Sequence, residues 1–332
     1  MVGWRVRRIG QAVITVYVVL TLSFLVTYTM PGSPVNALLE TLQEQGITGQ
    51  AALRQIQTLI SIDPSKPVHL AYYDYMVDML QGDLGRSIWS NRPVATMIAE
   101  RAPWTVFLLS WATFISFFVG IILGAFMAYY EGGKLDVGLS VYAMIAGSVP
   151  YYIWAIAFLV LFTLIYPIFP TTGRKSVLVE PGFTLTFIVD IVKHAALPLA
   201  SLIISGSLAS LSMRGNSIRV LGEDYIYVAH VRGLSDTRIA LQYVLRNAVL
   251  PLYTGFLISI GAMLGGAIIL EQVFNYAGMG LLFLDSLSRR DYPVIMGCFL
   301  VITVGVVIAL LIADLTYSKL DPRARGGSRE SF

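Results

Sequence analysis

The sequence predicts an all-α membrane protein with six membrane-spanning helices, both termini cytoplasmic, and an extracytoplasmic helical segment after helix 1. Three observations predict it. Of the 332 residues, 56% are hydrophobic and only 13% charged, with a mean hydropathy of +0.71. A soluble domain carries about 25% charge, so this chain has too little polar surface to face water on every side. Six stretches free of Asp, Glu, Lys and Arg each reach the about 20 residues that a helix needs to cross a bilayer. The basic residues of the short connections are divided unequally between the two sides, which sets the orientation.

The first span covers 9–30, after Arg5, Arg7 and Arg8. Its apolar run exceeds the about 7–15 residues of a signal-peptide core, and no small-x-small cleavage site follows. Met30-Pro31-Gly32 therefore reads as the end of a retained helix, and residues 1–30 as the N-terminus plus span one. Residues 31–103 are too polar for lipid and too few for an independent enzyme. Leu53, Ile56 and Ile60 fall at helical spacing, Asp63-Pro64-Ser65-Lys66-Pro67 breaks that helix, and a second begins over Val68 to Leu80. Capping the mouth of a pore, contacting a partner and plain linkage are all open to this segment. The core, 104–316, holds spans at 104–129, 138–165, 194–213, 249–271 and 292–316, and a tail covers 317–332.

An even number of spans puts both termini on one side. That side collects Arg5, Arg7, Arg8, Lys134, Arg214, Arg219, Arg232, Arg238, Arg246, Lys319, Arg323, Arg325 and Arg329. The short loops opposite hold only Arg174, Lys175, Lys193, Arg289 and Arg290. The richer side is the cytoplasmic one.

Within the spans, Gly120 and Gly124 lie four apart, as do Gly261 and Gly265. Such pairs strip one helix face of bulk and let backbones approach. Span four carries Ser201 and Ser212 with Gly206, and between them Ser205, Ser207 and Ser210. Their hydroxyls can bond backbone carbonyls or line a wet path, and Ser205, Ser207 and Ser210 with Gly261 and Gly265 are the candidate translocation path.

Several function classes find no support. The net charge of +3 with no basic, aromatic-interleaved stripe gives nucleic acid nothing to bind. His69, His194 and His230 fall in separate segments, and no metal-ligand spacing, nucleophile elbow or GxxxxGK[ST] phosphate loop occurs. The chain therefore reads as no enzyme, and no cofactor is expected on it. Mid-span ionisable groups, the usual carriers of ion coupling, are missing as well, which argues for an energy source outside the chain and leaves open only ion sites built from carbonyls and hydroxyls. The lone Cys298 sits in an apolar run and reads as a small buried hydrophobe.

The loop at 214–248 is the most informative stretch. Leu221, Tyr225, Val228 and Ala229 fall on one helical face, with Glu223 and Asp224 in the first turn and Arg232 in the last, as the helix dipole prefers. Gly233 follows at a left-handed stop position. Ser235 is a candidate cap for a second helix, Leu234 can staple onto Ile239, and Leu250-Pro251 opens span five. A surface helix of this kind suits a groove on another protein, or the lipid interface.

The run from Glu223 through Gly233 to Leu250-Pro251 resembles the EAA loop of ATP-binding cassette importer permeases. It is most similar to the first permease subunit of the dipeptide, oligopeptide and nickel importers. The resemblance covers nearly the whole chain. It includes Gly82-Asp83-Leu84-Gly85-Arg86-Ser87, Arg92-Pro93-Val94, Phe169-Pro170-Thr171-Thr172-Gly173, Lys193-His194 and Leu197-Pro198. It continues in Glu271-Gln272-Val273-Phe274, Gly278-Met279-Gly280, Arg290-Asp291-Tyr292-Pro293 and Leu320-Asp321-Pro322-Arg323. Asp224 and Tyr225 replace two alanines of the general motif, Tyr243 stands where histidine is common, and Ala277 where proline is common.

The resemblance implies a type I importer permease in the inner membrane of a prokaryote. This subunit would form half the pore and a homologous second permease the other half. The helix from Glu223 would dock, as a coupling helix, into one of two separate cytoplasmic ATPase subunits, which bind the ATP and magnesium. Glu223, Asp224, Tyr225, Ala229, Arg232, Gly233, Leu234 and Pro251 would carry that contact. An extracytoplasmic binding protein would deliver cargo, with peptides expected first and nickel complexes or oligosaccharides as alternatives.

Overall fold

The computed structural model describes residues 4–29, 43, 48–49, 67–235, 238–262 and 268–320. Among them the chain is helical, its only β pairing being an isolated bridge between Arg86 and Pro93. The helix expected around Leu53–Ile60, the glycines Gly265 and Gly266, and the tail beyond Leu320 lie outside the described residues.

In order, the helices are α1 (Trp4–Thr29), α2 (Val68–Gln81), α3 (Val94–Tyr129), α4 (Lys134–Ser148), α5 (Tyr151–Leu159, continued as a π-helix over Val160–Ile165) and α6 (Leu185–Ser205). Then come α7 (Leu208–Leu221), α8 (Asp224–Val231), a π-helical stretch Ile239–Leu245 running into Arg246–Ala248, α9 (Leu250–Ala262), α10 (Ile268–Val273), α11 (Met279–Arg289) and α12 (Tyr292–Leu320). Among the described residues, four helical stretches are long and apolar enough to cross a membrane: Val6–Leu25, Val94–Tyr129, Leu185–Ser205 and Tyr292–Ile312. The pair α4 and α5 adds a fifth if its two halves make one span.

The expected spans and the helices differ in instructive ways. The third was expected unbroken over 138–165, yet the chain bends by 91° between α4 and α5. Pro150 has no N–H to continue α4 and pushes the residue before it out of the helical region. Val149 accordingly sits at φ −86°, ψ 124°. Helix α3 begins ten residues before the expected span, at Val94, and its 36 residues span about 54 Å at 1.5 Å each. A bilayer core is about 30 Å thick, so the turns bearing Glu100 and Arg101 extend past it. Helix α6 likewise starts at Leu185, before Asp190 and Lys193, and the expected fourth span is interrupted at Gly206-Ser207 before α7 resumes. The fifth is described only as α9 and α10, on either side of 263–267.

The chain divides into two compact units. The first comprises Met1–Val106, Leu264–Ile268 and Ala277–Leu311. Here Leu20 and Phe24 of α1 pack with Ala71 and Tyr75 of α2 and with Met296. Helix α2 stops at Gly82, φ +79°, where the amides of Gly82 and Asp83 return to the carbonyls of Met79 and Asp78. The loop that follows is pinned to the start of α12. Asp291 accepts from Ser87 Oγ at 2.5 Å and from the Ile88 amide at 3.1 Å, and the Trp89 indole donates to the Arg289 carbonyl at 2.7 Å. Two stretches quoted separately for the resemblance thus meet in space. Burial raises the Asp291 carboxyl above its ordinary value, opposed by the Ser87 hydroxyl and by backbone amides that include that of Val294.

The second unit comprises Phe107–Met263, Ile269–Tyr276 and Ile312–Phe332. Its core runs along α7. A Cβ on Gly120 would meet the Ala209 Cβ at 3.1 Å, and one on Gly124 the Met213 Cβ at 2.5 Å. The glycine pair therefore seats α7 against α3, as small-residue spacing implies. Gly173, φ +90°, donates its amide to the Phe274 carbonyl at 2.9 Å, joining two further stretches of the resemblance.

Candidate functional site

The segment between α7 and α9 builds the site. Helix α7 ends at Gly222, and Glu223 turns extended (φ −80°, ψ 142°) before α8 begins at Asp224. Helix α8 stops in a Schellman turn. The Gly233 amide donates to the His230 carbonyl at 2.9 Å and the Leu234 amide to the Ala229 carbonyl at 3.3 Å. Gly233 takes φ +70°, the left-handed conformation expected of it from its place after the helix. Leu234 completes the motif by packing on a cluster of Ile226, Ala229, Ile239 and Val244.

That cluster corrects the face expected of α8. Of Leu221, Tyr225, Val228 and Ala229, only Ala229 is buried. The buried stripe is Ile226 with Ala229, one turn apart, because the π-helical stretch with Ile239 and Val244 approaches from that side. A short helix that is apolar on two sides leaves periodicity unable to say which side the neighbour takes. The other side is left bare: Tyr227 is 73% and Val231 70% exposed, with Val228 and Tyr225 exposed beside them. Glu223, Asp224 and Arg232 lie at the two ends of the helix, all exposed. Asn247 ties the stretch together, donating to the Tyr243 carbonyl at 2.7 Å and to the Tyr225 hydroxyl at 3.3 Å.

Helix α7 links this loop to the apolar helices. Arg214 donates to both carboxylate oxygens of Asp136 in α4, at 2.6 and 2.7 Å. Asn216 donates to the Ala248 carbonyl at 3.2 Å. Neither Asp136 nor Asn216 was singled out from sequence, and Arg214 counted only as a topological charge. The signal available was two opposite charges at helix ends, which does not pair them without the fold.

A cavity of about 810 Å³ opens along α3, α7 and α9. Thr113, Ser116, Ser212, Asn216 and Ser259 give it polar lining, Pro251 sits at its wall, and Arg219 is the one charged residue that lines it. Ser212 of the serine-rich span four thus lines the cavity, while Ser205, Ser207 and Ser210 lie elsewhere. Ser205 Oγ donates to the Val149 carbonyl, Ser207 Oγ to Ala143, and Ser210 Oγ to Ser207. None of the three lines the cavity; their hydroxyls are spent on backbone carbonyls. Gly261 lies in the last turn of α9, while Gly265 is outside the described residues.

Comparison with known proteins resolves what this assembly of helices is. Residues 120–326 match the family model described as binding-protein-dependent transport system inner membrane component. The chain belongs to this family. The dipeptide transport system permease protein DppB of Escherichia coli strain K12 is 32% identical over 345 residues, covering 98% of this chain and 99% of that protein. The oligopeptide transport system permease protein AppB of Bacillus subtilis strain 168 is 30% identical over 326 residues, covering 97% and 99%. The glutathione transport system permease protein GsiC of Salmonella choleraesuis is 29% identical over 331 residues. The chain is thus a multi-pass permease component of an ATP-binding cassette transport system, and the resemblance read from its motifs holds along nearly its full length.

Proposed function

We propose that this permease forms half of the translocation path of an ATP-driven peptide importer in the inner membrane. The family membership and relatives named for dipeptides and oligopeptides support that cargo; nickel complexes and oligosaccharides are the alternatives. In this reading all six expected segments cross the bilayer and both termini are cytoplasmic. A homologous second permease closes the path, and the outer segment 31–103 faces a substrate-binding protein. ATP and magnesium belong to two ATPase subunits, not to this chain.

The observation that carries the coupling is the bare apolar side of α8. Tyr227 and Val231 stand one turn apart on a helix whose opposite side is fully used by the cluster around Ile226. An exposed apolar stripe on a rigid surface helix is the element that docks in a protein groove. Gly233 fixes how α8 leaves that groove, and Glu223, Asp224, Tyr225 and Arg232 complete the contact, while Ala229 and Leu234, expected to share it, hold α8 from its inner side. When the ATPases close on ATP, α8 moves with them and the spans swing as rigid bodies. The cavity beside α7, with Ser212, Pro251 and Arg219, is the path we assign, in place of Ser205, Ser207 and Ser210.

The test is a tagged pull-down from native membranes in mild detergent, with ATPase activity measured on the eluate. A second permease and P-loop ATPases should co-purify, and Tyr227→Asp with Val231→Asp should release the ATPases while the permease stays folded. Recovery of this chain alone, moving solute in liposomes without ATP, would overturn the reading in favour of a secondary transporter.

A further inference from the structure

We infer that the Asp136–Arg214 pair is the joint through which displacement of α8 reaches α4, and that it positions the bent α4–α5 segment during transport. The inference rests on the coupling role proposed for α8.

Helix α7 runs into α8 through Gly222-Glu223, and among the described residues side-chain hydrogen bonds tie it at three places. Near its start Ser207 Oγ donates to the Ala143 carbonyl of α4 at 3.3 Å. Near its end Asn216 donates to the Ala248 carbonyl at 3.2 Å. Between them lies the ion pair, and it differs in kind. The two parallel bonds of the guanidinium, 2.6 and 2.7 Å, fix angle as well as distance, which a single hydroxyl bond does not.

The carboxylate end is built to receive them. Asp136 is 3% exposed in its side chain. The Gly132 amide donates to its Oδ2 at 3.0 Å, and Ser140 Oγ approaches Oδ1 at 3.4 Å. Gly132 takes φ +73°, which turns its N–H toward the first turn of α4. A carboxylate so enclosed needs its cation, because a buried charge without a partner is strongly disfavoured. Arg214 cannot slide away when α7 moves; α4 must follow. Beyond Ser148 the chain turns 91° into α5, so rotation of α4 re-aims α5.

A passive staple would hold α4 on α7 and nothing more, and transport per ATP separates the two roles. The complete transporter, with its ATPases, second permease and binding protein, is reconstituted in proteoliposomes. Asp136→Asn keeps the shape and an acceptor for Gly132. It should co-purify with its partners and hydrolyse ATP at about the native rate. Cargo moved per ATP should fall about tenfold, within the range of coupling free energies between sites. Arg214→Lys keeps the charge without the fork and should give an intermediate ratio in a chain certain to retain the ion pair's neutralisation. Proportional loss of hydrolysis and transport in both variants, or no change in either, would overturn the inference. If the native chain brings down no ATPases, the coupling reading of α8 itself fails, a different outcome from a native-like Asp136→Asn transporter.

Discussion

Gly233 offers the sharpest test of how α8 is aimed. Its φ of +70° is a conformation that L-residues with a Cβ occupy at a cost of about 1–2 kcal/mol. Space is not the obstacle: among the described residues, a Cβ built there meets no heavy atom within 4 Å. Gly233→Ala therefore adds backbone strain and nothing else. A strain of that size changes a population by about 5–30-fold, and it acts on the turn that closes α8 through the Leu234–Ala229 bond. Gly233→Asn should do less, since asparagine tolerates the left-handed region. Gly233→Glu should do more, and because the surroundings within this chain are empty, the excess over alanine reads contact with the docked partner. The assay is ATPase retention and transport in proteoliposomes, beside the thermal stability of the purified permease in detergent. We expect retention to fall in the order Gly, Asn, Ala, Glu with the permease's own melting temperature nearly constant. Equal retention in all four would show that this turn does not aim α8. A melting temperature that falls with the same order would make Gly233 a folding residue and not a coupling one.

Two further predictions concern the scaffold. Gly124→Leu should destabilise the second unit by about 1–3 kcal/mol or more, the usual cost of overpacking, because even a Cβ there would stand 2.5 Å from both the Met213 Cβ and the Ser210 carbonyl oxygen. Gly138→Ala, with nothing within 4 Å, is the control and should leave melting in detergent unchanged or slightly raised. For Asp291, burial raises the folded carboxyl above its unfolded value, so the folded state holds the proton more tightly. Stability is then greatest below the ordinary carboxylate range, about pH 4, and declines as pH rises through the folded value. Asp291→Asn should flatten that decline in a thermal melt run across the acid range. An unchanged slope would mean that another group sets it.

Much of this was legible in the residues, and the part that was not has a common cause. Charge-free length found helices at all six expected places, Gly233 and the start of α2 at Val68 were set by local chemistry that needs no neighbour, and the Gly120–Gly124 spacing announced a close-packed face without naming its partner. The ends failed where charges ride inside a helix, as Glu100 and Arg101 do in α3 and Asp190 does in α6, because charge marks the edge of the lipid and not the edge of the helix. The bend at Val149-Pro150 was written in the proline but overlooked in a stretch judged by hydropathy alone. The buried side of α8 and the pairing of Asp136 with Arg214 depend on which elements pack together, and a single sequence with two apolar sides and scattered charges carries no such information.

Helix α7 shows why counting polar residues cannot by itself place a path. Ser207, Ser210 and Arg214, at i, i+3 and i+7, form one helical face, and each is engaged in a hydrogen bond, to Ala143, to Ser207 and to Asp136. Ala209 and Met213, at i and i+4, meet the glycines of α3. Ser212, Asn216 and Arg219, at i, i+4 and i+7, face the cavity. Three faces of one helix thus do three jobs, and hydroxyl content alone cannot rank them, because a serine holding a carbonyl and a serine wetting a path are the same residue. What separates them is Arg214. Its charge obliges a partner, and once that partner is Asp136 the face it shares with Ser207 and Ser210 must be the packed one. Helical geometry then assigns the open face to residues rotated away from it. Polar character serves the bilayer interior twice here, as glue where it is satisfied within the protein and as lining where it is left free, and only the ion pair reveals which side is which.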